Sequence, residues 1–359
     1  FISVLLFFLG TGVWVAISMI GVSAIGMILF TTRPVGDAMA TTIWGTSSSW
    51  TLTALPLFVW MGEILFRTKL SENLFKGLSP WMEKLPGGLI HVNVVGCTLF
   101  AAISGSSAAT VATVGKMSIP ELRKRKYPEK IILGSLAGSG TLGLLIPPSI
   151  ILIIYGVAVQ ESIAKLFIAG IIPGIMIAII FMSYIIFWSL INKKEMPKID
   201  ARYTFLEKLK SSKQLIPVIL LIFGVIGSIY TGIATATEAA SLGVVGALLL
   251  SYFQKSLNFE TFKSSLLGAT KTSCMIAFIL AGSTFLSLAM GFTGLPRNLA
   301  IWIENMNLSP YVLIFVLMIF YIILGMFLDG ISAVVLTMAI IEPMIRQAGF
   351  DMIWFGIFL

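Results

Sequence analysis

Five hydroxyl residues, Ser104, Ser106, Ser107, Thr110 and Thr113, surround Gly105 in the stretch AAISGSSAATVATVGKMSIP, residues 101–120. Uncharged oxygens of this kind, joined by the peptide carbonyls that lose their partners where a helix stops, form a donor set for a hard monovalent cation such as Na⁺. The same small residues also suit a purely structural task, the close approach of two helices. A second group follows in GSLAGSGTLGLLIPPSIILIIYG, residues 134–156. There, glycines 138, 140 and 143 and the pair Pro147–Pro148 interrupt a helix in mid-course, because proline lacks a donor and clashes with the turn before it. Carbonyls freed at such a break can coordinate a cation, and the N-terminus of the half-helix beyond it can attract an anion. A kinked helix without a ligand is the plainer alternative. The third group lies in YIILGMFLDGISAVVLTMAIIEPM, residues 321–344, with Asp329, Gly330 and Ser332 at its centre. Asp329 is the one acid far from an evident water boundary. A carboxylate inside a membrane is a functional candidate; a cap for the following helix is the other reading.

These groups need a scaffold, and composition says which. Of 359 residues, 57% are hydrophobic and 11% charged, and the mean hydropathy is +0.99. A soluble domain carries roughly a quarter charged residues. The chain is therefore expected to be an all-α polytopic membrane protein, since its apolar runs have helical length and lack barrel alternation. Spans are expected near residues 14–30, 51–66, 89–102, 131–155, 166–191, 215–230, 239–253, 273–291 and 311–328. Several are short, as broken helices in transporters are.

Nineteen of the 24 Lys and Arg residues can face one side of such a topology, leaving Arg33, Lys165, Arg297 and Arg346 on the other and Lys116 within the hydroxyl-rich segment. The basic side is cytoplasmic by the positive-inside rule. That explains the formal charge of +8 without a nucleic-acid partner. Residues 89–123 then begin and end on the cytoplasmic side, a length that enters the membrane halfway, turns at SGSSAAT and returns. In hydrocarbon such a turn survives only where protein or a watery cavity receives it.

An internal repeat supports a second hairpin. Gly12 and Gly62 recur as Gly232 and Gly282, and the interval Pro86–Pro120 recurs as Pro310–Pro343. The two halves run in opposite senses in this topology, which places a binding site near midplane at discontinuous helices. The expected fold is thus an inverted repeat with two re-entrant helical hairpins and broken helices. Milder expectations follow for single groups. Thr235 and Glu238 have capping-box spacing, and Glu63 and Arg67 form an i,i+4 pair. Lys116 snorkels, and the eight tryptophans form an aromatic belt. Residues 257–271, with lysines 255, 263 and 271, are expected as an interfacial amphipathic helix. Cys97 and Cys274 are expected as small core residues, not a disulfide. The chain opens on Phe1, as a fragment, processed form or part of a fusion would.

Other function classes are less well served. An intramembrane serine protease would need Ser106 and His91, the only histidine, within hydrogen-bond reach. An ion channel would need a continuous pore with a polar ring.

The segments GSSAATVATVG, GTLGLLIPPSI, TGIATATEAA and LGMFLDGISAVVLT, in this order, resemble the large membrane subunit (M subunit) of TRAP, tripartite ATP-independent periplasmic, transporters. The resemblance covers essentially the whole chain. It implies a Na⁺-driven secondary transporter of the ion-transporter superfamily in the bacterial inner (cytoplasmic) membrane, working by an elevator mechanism. It implies uptake of an organic acid of the C4-dicarboxylate or sialic-acid class from a periplasmic substrate-binding protein, with a small membrane subunit, separate or fused. No cofactor beyond Na⁺ is implied. Carried over, the first sodium site falls on Ser104, Gly105, Ser106, Ser107, Gly138 and Thr141, and the second on Asp329, Gly330 and Ser332. The substrate is expected near Ser107, Thr110, Thr141, Pro147 and Asp329. Expected domains are scaffold helices 1–85, hairpin and broken helix 86–156, scaffold with its basic loop and arm 157–272, and second repeat with hairpin 273–359. The family continues into a second broken helix with its own Pro-Pro pair, whose place here is near position 370, beyond Leu359.

Overall fold

A computed structural model describes the chain except residues 1, 69, 198–202, 295–297, 299–308, 327 and 329. Lys69, Lys198, Arg202, Arg297, Trp302 and Asp329 lie outside the described residues. All regular structure among those described is helical. Five helices are long and apolar enough to cross a membrane, or seven if two bent pairs each count as one.

The helices are α1 (Ile2–Gly10), α2 (Val15–Phe30), α3 (Val35–Ser47), α4 (Ala54–Phe66), α5 (Leu70–Met82), α6 (His91–Ser104), α7 (Ser107–Lys124), α8 (Glu129–Gly140), α9 (Leu142–Leu145), α10 (Ile150–Ala158) and α11 (Ile163–Ile191). After these come α12 (Phe205–Ser212), α13 (Ile216–Tyr230), α14 (Ala236–Phe253), α15 (Phe259–Phe292), α16 (Pro310–Gly325), α17 (Gly330–Gln347) and α18 (Met352–Phe358). They fall into two compact units. Unit one comprises Phe1–Thr53, Ile153–Leu166 and Lys271–Leu359; unit two comprises Ala54–Leu152 and Phe167–Thr270.

The repeat is visible in the element order. A shift of 223 residues carries the 18-residue α7 onto the 18-residue α17, and the proline inside one helix, Pro120, onto Pro343 inside the other. It also carries Pro128, before α8, onto Asp351, before α18. Near the start of each half, Gly12 (φ +80°) and Gly232 (φ +71°) turn the chain between consecutive helices in a left-handed conformation open to glycine.

Local chemistry accounts for the helix starts. Thr235 and Glu238 form the expected capping box, the Glu238 amide donating to Thr235 Oγ1 and the Thr235 amide to the Glu238 carboxylate. At α16, Pro310 occupies the first turn and Ser309 accepts from the Val312 amide. The Glu63–Arg67 pair forms within one helix turn.

In unit two, Phe58 meets Phe167 edge-on at 5.9 Å, and Leu55, Met61 and Phe100 are buried around α4 and α6. In unit one, Met27, Phe285 and Ala289 form a core cluster. Tyr155 is the largest fully buried side chain, and its hydroxyl donates to Met352 O at 2.6 Å. Tyr155→Phe removes that donor and leaves a buried carbonyl with one partner fewer, a loss of about 1 kcal/mol. The expected result is a fall of about 2 °C in the thermal midpoint of the detergent-purified protein, measured by tryptophan fluorescence.

Three expectations need correcting. Residues 257–271 do not form a separate interfacial helix: α15 runs unbroken from Phe259 to Phe292. Neither Gly268 nor the lysines stop it, because Gly268 packs against the Glu63–Arg67 pair, where an added Cβ would lie 2.7 Å from Glu63 Oε2. Cys274, expected in the core, is exposed, while Cys97 is buried and both thiols are free. An apolar sequence neighbourhood does not distinguish a core face from a face turned outward. Helices α1, α3 and α5 were not among the expected spans.

Candidate functional site

The hydroxyl-rich segment forms a helical hairpin whose turn takes only two residues. Helix α6 ends at Ser104 because Gly105 adopts φ +59°, and the Gly105 amide closes the helix onto Ala101 O (3.0 Å). Ser106 is extended and opens α7 as its N-cap, accepting from the Ala109 amide at 3.5 Å. The tip is laced together by its own hydroxyls. Thr110 Oγ1 donates to Ser106 O (2.7 Å) and lies 2.9 Å from Ser104 Oγ. The Thr110 amide also reaches Ser106 O (3.0 Å). Ser104 and Thr110 are buried.

The broken helix supplies the other wall. Helix α8 stops at Gly140, and both the amide (3.1 Å) and the hydroxyl (2.7 Å) of Thr141 turn back onto Gly138 O. After the single turn of α9 comes Pro147–Pro148, joined by a cis peptide. Neither proline offers a backbone donor. Ser149 Oγ donates to Leu144 O, satisfying one carbonyl that the break releases.

Tip and break meet within unit two. The Ile150 amide at the start of α10 donates to Gly105 O at 3.1 Å. Glycine is required on both sides of the junction. A Cβ on Gly105 would sit 2.5 Å from Pro148 O, and one on Gly143 would sit 2.9 Å from Ser106 C and O and 3.0 Å from Ser107 N. Helix α4 crosses close by at Gly62, where a Cβ would lie 3.0 Å from Ser104 Cα.

Ser104, Gly105, Ser106, Ser107 and Thr110 are thus gathered at the tip, with Pro147 in the loop directly behind it. Gly138 and Thr141 are bonded to each other, and their neighbours Gly140 and Gly143 carry the packing against the tip. Thr141 itself is exposed. Sequence reasoning missed Ser149, whose capping role depends on the bend that only the folded chain shows. In unit one Gly330 opens α17 and Ser332 is buried; with Ile331, Ser332 lines a cavity of about 860 Å³ that also includes Trp14, Lys271 and Met275. Asp329 lies outside the described residues.

The junction in unit two offers hydroxyl and carbonyl oxygens and no ionisable group, a donor set for a hard cation of low charge. No group of three or more His, Cys, Asp or Glu able to hold a metal occurs among the described residues. Hydrolytic chemistry is poorly served. His91 opens α6 and Ser106 lies beyond its other end, so the helix holds them about 20 Å apart. His91 Nε2 is already 2.8 Å from Pro86 O.

Residues 2–359 match the model of the family "Tripartite ATP-independent periplasmic transporter, DctM component". The chain is 32% identical over 338 residues to the C4-dicarboxylate TRAP transporter large permease protein DctM of Pseudomonas aeruginosa, spanning 94% of this chain and 78% of that protein. It is 31% identical to the sialic acid TRAP transporter large permease protein SiaM of Vibrio cholerae, over 96% of this chain and 80% of that one. With the isethionate TRAP transporter permease protein DctMQ of Oleidesulfovibrio alaskensis the identity is 30%, over 98% of this chain and 55% of that protein. These relatives are permeases, not enzymes, and proteins of the bacterial inner membrane. With its match from residue 2 to residue 359 and its set of apolar helices, this chain belongs to the DctM family, as the large membrane subunit of a TRAP transporter.

Proposed function

We propose that the protein is the permease of a sodium-driven secondary uptake system for a small organic acid, of the C4-dicarboxylate or sialic-acid class that two of its relatives are named for. It receives the acid from a periplasmic substrate-binding protein and works with a small membrane subunit, separate or fused. The observation that carries this reading is the seat of Gly105 against the Pro147–Pro148 break, closed by the Ile150 amide. A hairpin that dead-ends on a broken helix supports occlusion, whereas a channel needs a continuous polar pore.

Sodium binds first, among Ser104, Gly105, Ser106, Ser107, Gly138 and Thr141. A second ion binds at Asp329, Gly330 and Ser332. The acid is then accepted near Ser107, Thr110, Thr141, Pro147 and Asp329, where the bound cations offset its charge. The two hairpins insert from opposite faces of the membrane. Residues 86–156 and 273–359 form the moving elevator block, and residues 1–85 and 157–272 the scaffold.

The test is uptake into proteoliposomes holding the permease with its small subunit and binding protein. Accumulation of labelled succinate, isethionate or N-acetylneuraminate is expected only with an inward sodium gradient and the binding protein present. Equal uptake after the gradient is collapsed would remove the sodium-driven mechanism; conduction without the binding protein would favour a channel.

A further inference from the structure

Resting on the reading that the permease carries an organic acid, we infer that unit one holds a second contact site for that acid, a hydroxyl-lined cavity in which Arg346 receives the carboxylate and Glu161 is the internal carboxylate it displaces. The cavity measures about 900 Å³, within the range of small-molecule sites. Thr42, Thr46, Thr284 and Ser287 supply hydroxyls to its lining, and Glu161 and Glu342 supply charge. One hydroxyl pair is already organised, Thr46 Oγ1 donating to Thr284 Oγ1 at 3.0 Å.

Arg346 joins the two glutamates, but unequally. Its Nε donates to Glu342 Oε1 at 3.0 Å, one turn back on α17, and its Nη2 donates to Val159 O at 3.1 Å. These two bonds fix the guanidinium against its own helix and the segment after α10. Glu161 stands 3.7 Å from Nη2, an ion pair too long for a hydrogen bond. About half of the arginine side chain is exposed. A guanidinium carries five N–H donors in a planar fork that matches a carboxylate in bidentate fashion. An incoming carboxylate can therefore make the hydrogen bond that Glu161 does not. Glu161, partly exposed, returns to water as it leaves, so the local charge is unchanged. The threonine and serine hydroxyls are then placed for the hydroxyl, keto or second acid groups of the ligand.

The geometry assigns opposite signs to two neutralising substitutions. Arg346→Gln removes the receptor and should raise the concentration of acid for half-maximal uptake about tenfold or more, the cost of a charge-assisted hydrogen bond. Glu161→Gln removes the competitor and should lower that concentration several-fold. Arg346→Lys keeps the charge without the fork and should fall between wild type and Arg346→Gln. The assay is the sodium-driven proteoliposome uptake above, using whichever of succinate, isethionate and N-acetylneuraminate the wild type carries. Should Arg346→Gln fail to reach the membrane, the Glu161→Gln and Arg346→Lys pair decides the matter alone. A purely structural ion pair predicts that all three variants lose maximal rate together with unchanged half-saturation; that result, or no change at all, overturns the site. Sodium dependence in the wild type is read independently, so absence of sodium-driven uptake counts against the proposed function and not against this cavity.

Discussion

Gly105→Ala is expected to cut the initial rate of uptake about a hundredfold while the amount of permease in the membrane stays at wild-type level. Two costs combine. An L-residue in the left-handed conformation loses about 1–2 kcal/mol, and Gly105 sits there at φ +59°. The added methyl would also stand 2.5 Å from Pro148 O, a backbone atom that a side-chain rotation cannot move away. Relieving the overlap means lifting the tip from the break, which stretches the 3.1 Å bond from the Ile150 amide to Gly105 O. A total on the order of 3 kcal/mol corresponds to about a hundredfold in the population of seated tips. Gly12→Ala is the control. It carries the same left-handed strain at φ +80° with nothing within 4 Å of the new methyl, so its uptake should stay close to wild type. Comparable rates in Gly105→Ala and Gly12→Ala would mean that seating the tip is not part of transport.

The hairpin was legible before any coordinates because its determinants are local. A glycine between serines inside an apolar run, bounded by a basic loop, leaves the chain few ways to satisfy its backbone. The Pro147–Pro148 break is local in the same sense. The repeat was legible because proline and left-handed glycine mark places where the backbone has no alternative, as at Gly12, Gly232, Pro120 and Pro343. Other features were hidden by chemistry that sequence spacing does not express. Helix α3 carries Asp37 and a run of threonines, so it lacks the apolar signature of a span, and its threonine hydroxyls bond within the helix, Thr41 to Asp37 O and Thr42 to Ala38 O. Helix α15 looked like two elements because its lysines sit at amphipathic spacing. A lysine tolerates either setting by extending its apolar stem toward water. The Arg346 cavity draws on four segments far apart in the chain, and the weak Glu161 contact exists only once α17 and the segment after α10 are folded.

Ser106→Ala and Asp329→Ala are both expected to abolish sodium-dependent uptake at ordinary sodium concentrations with the protein still inserted. The shift of 223 residues that superimposes the second hairpin helices sets Asp329 where Ser106 stands, directly before the first helical residue. As a cap, either residue contributes only about 1 kcal/mol to its helix, far too little to unfold a protein with this many packed helices. As cation ligands, the two differ in kind. Ser106 offers a neutral oxygen, so its loss should raise the sodium concentration for half-maximal uptake about tenfold, the scale of one hydrogen-bond-like contact to a charged group. Asp329 offers the compensating charge, and a cation left unpaired in a poorly hydrated site costs several kcal/mol, so Asp329→Ala should lose uptake at every sodium concentration tried. Sodium titrations of uptake in the two variants measure both effects, and wild-type sodium dependence in both would remove the assignment. Asp329→Asn and Asp329→Ser separate the roles. Asparagine and serine cap helices as well as aspartate does, so a capping role predicts that both restore uptake. Charge compensation predicts that neither does, because each leaves the bound cation without its anion.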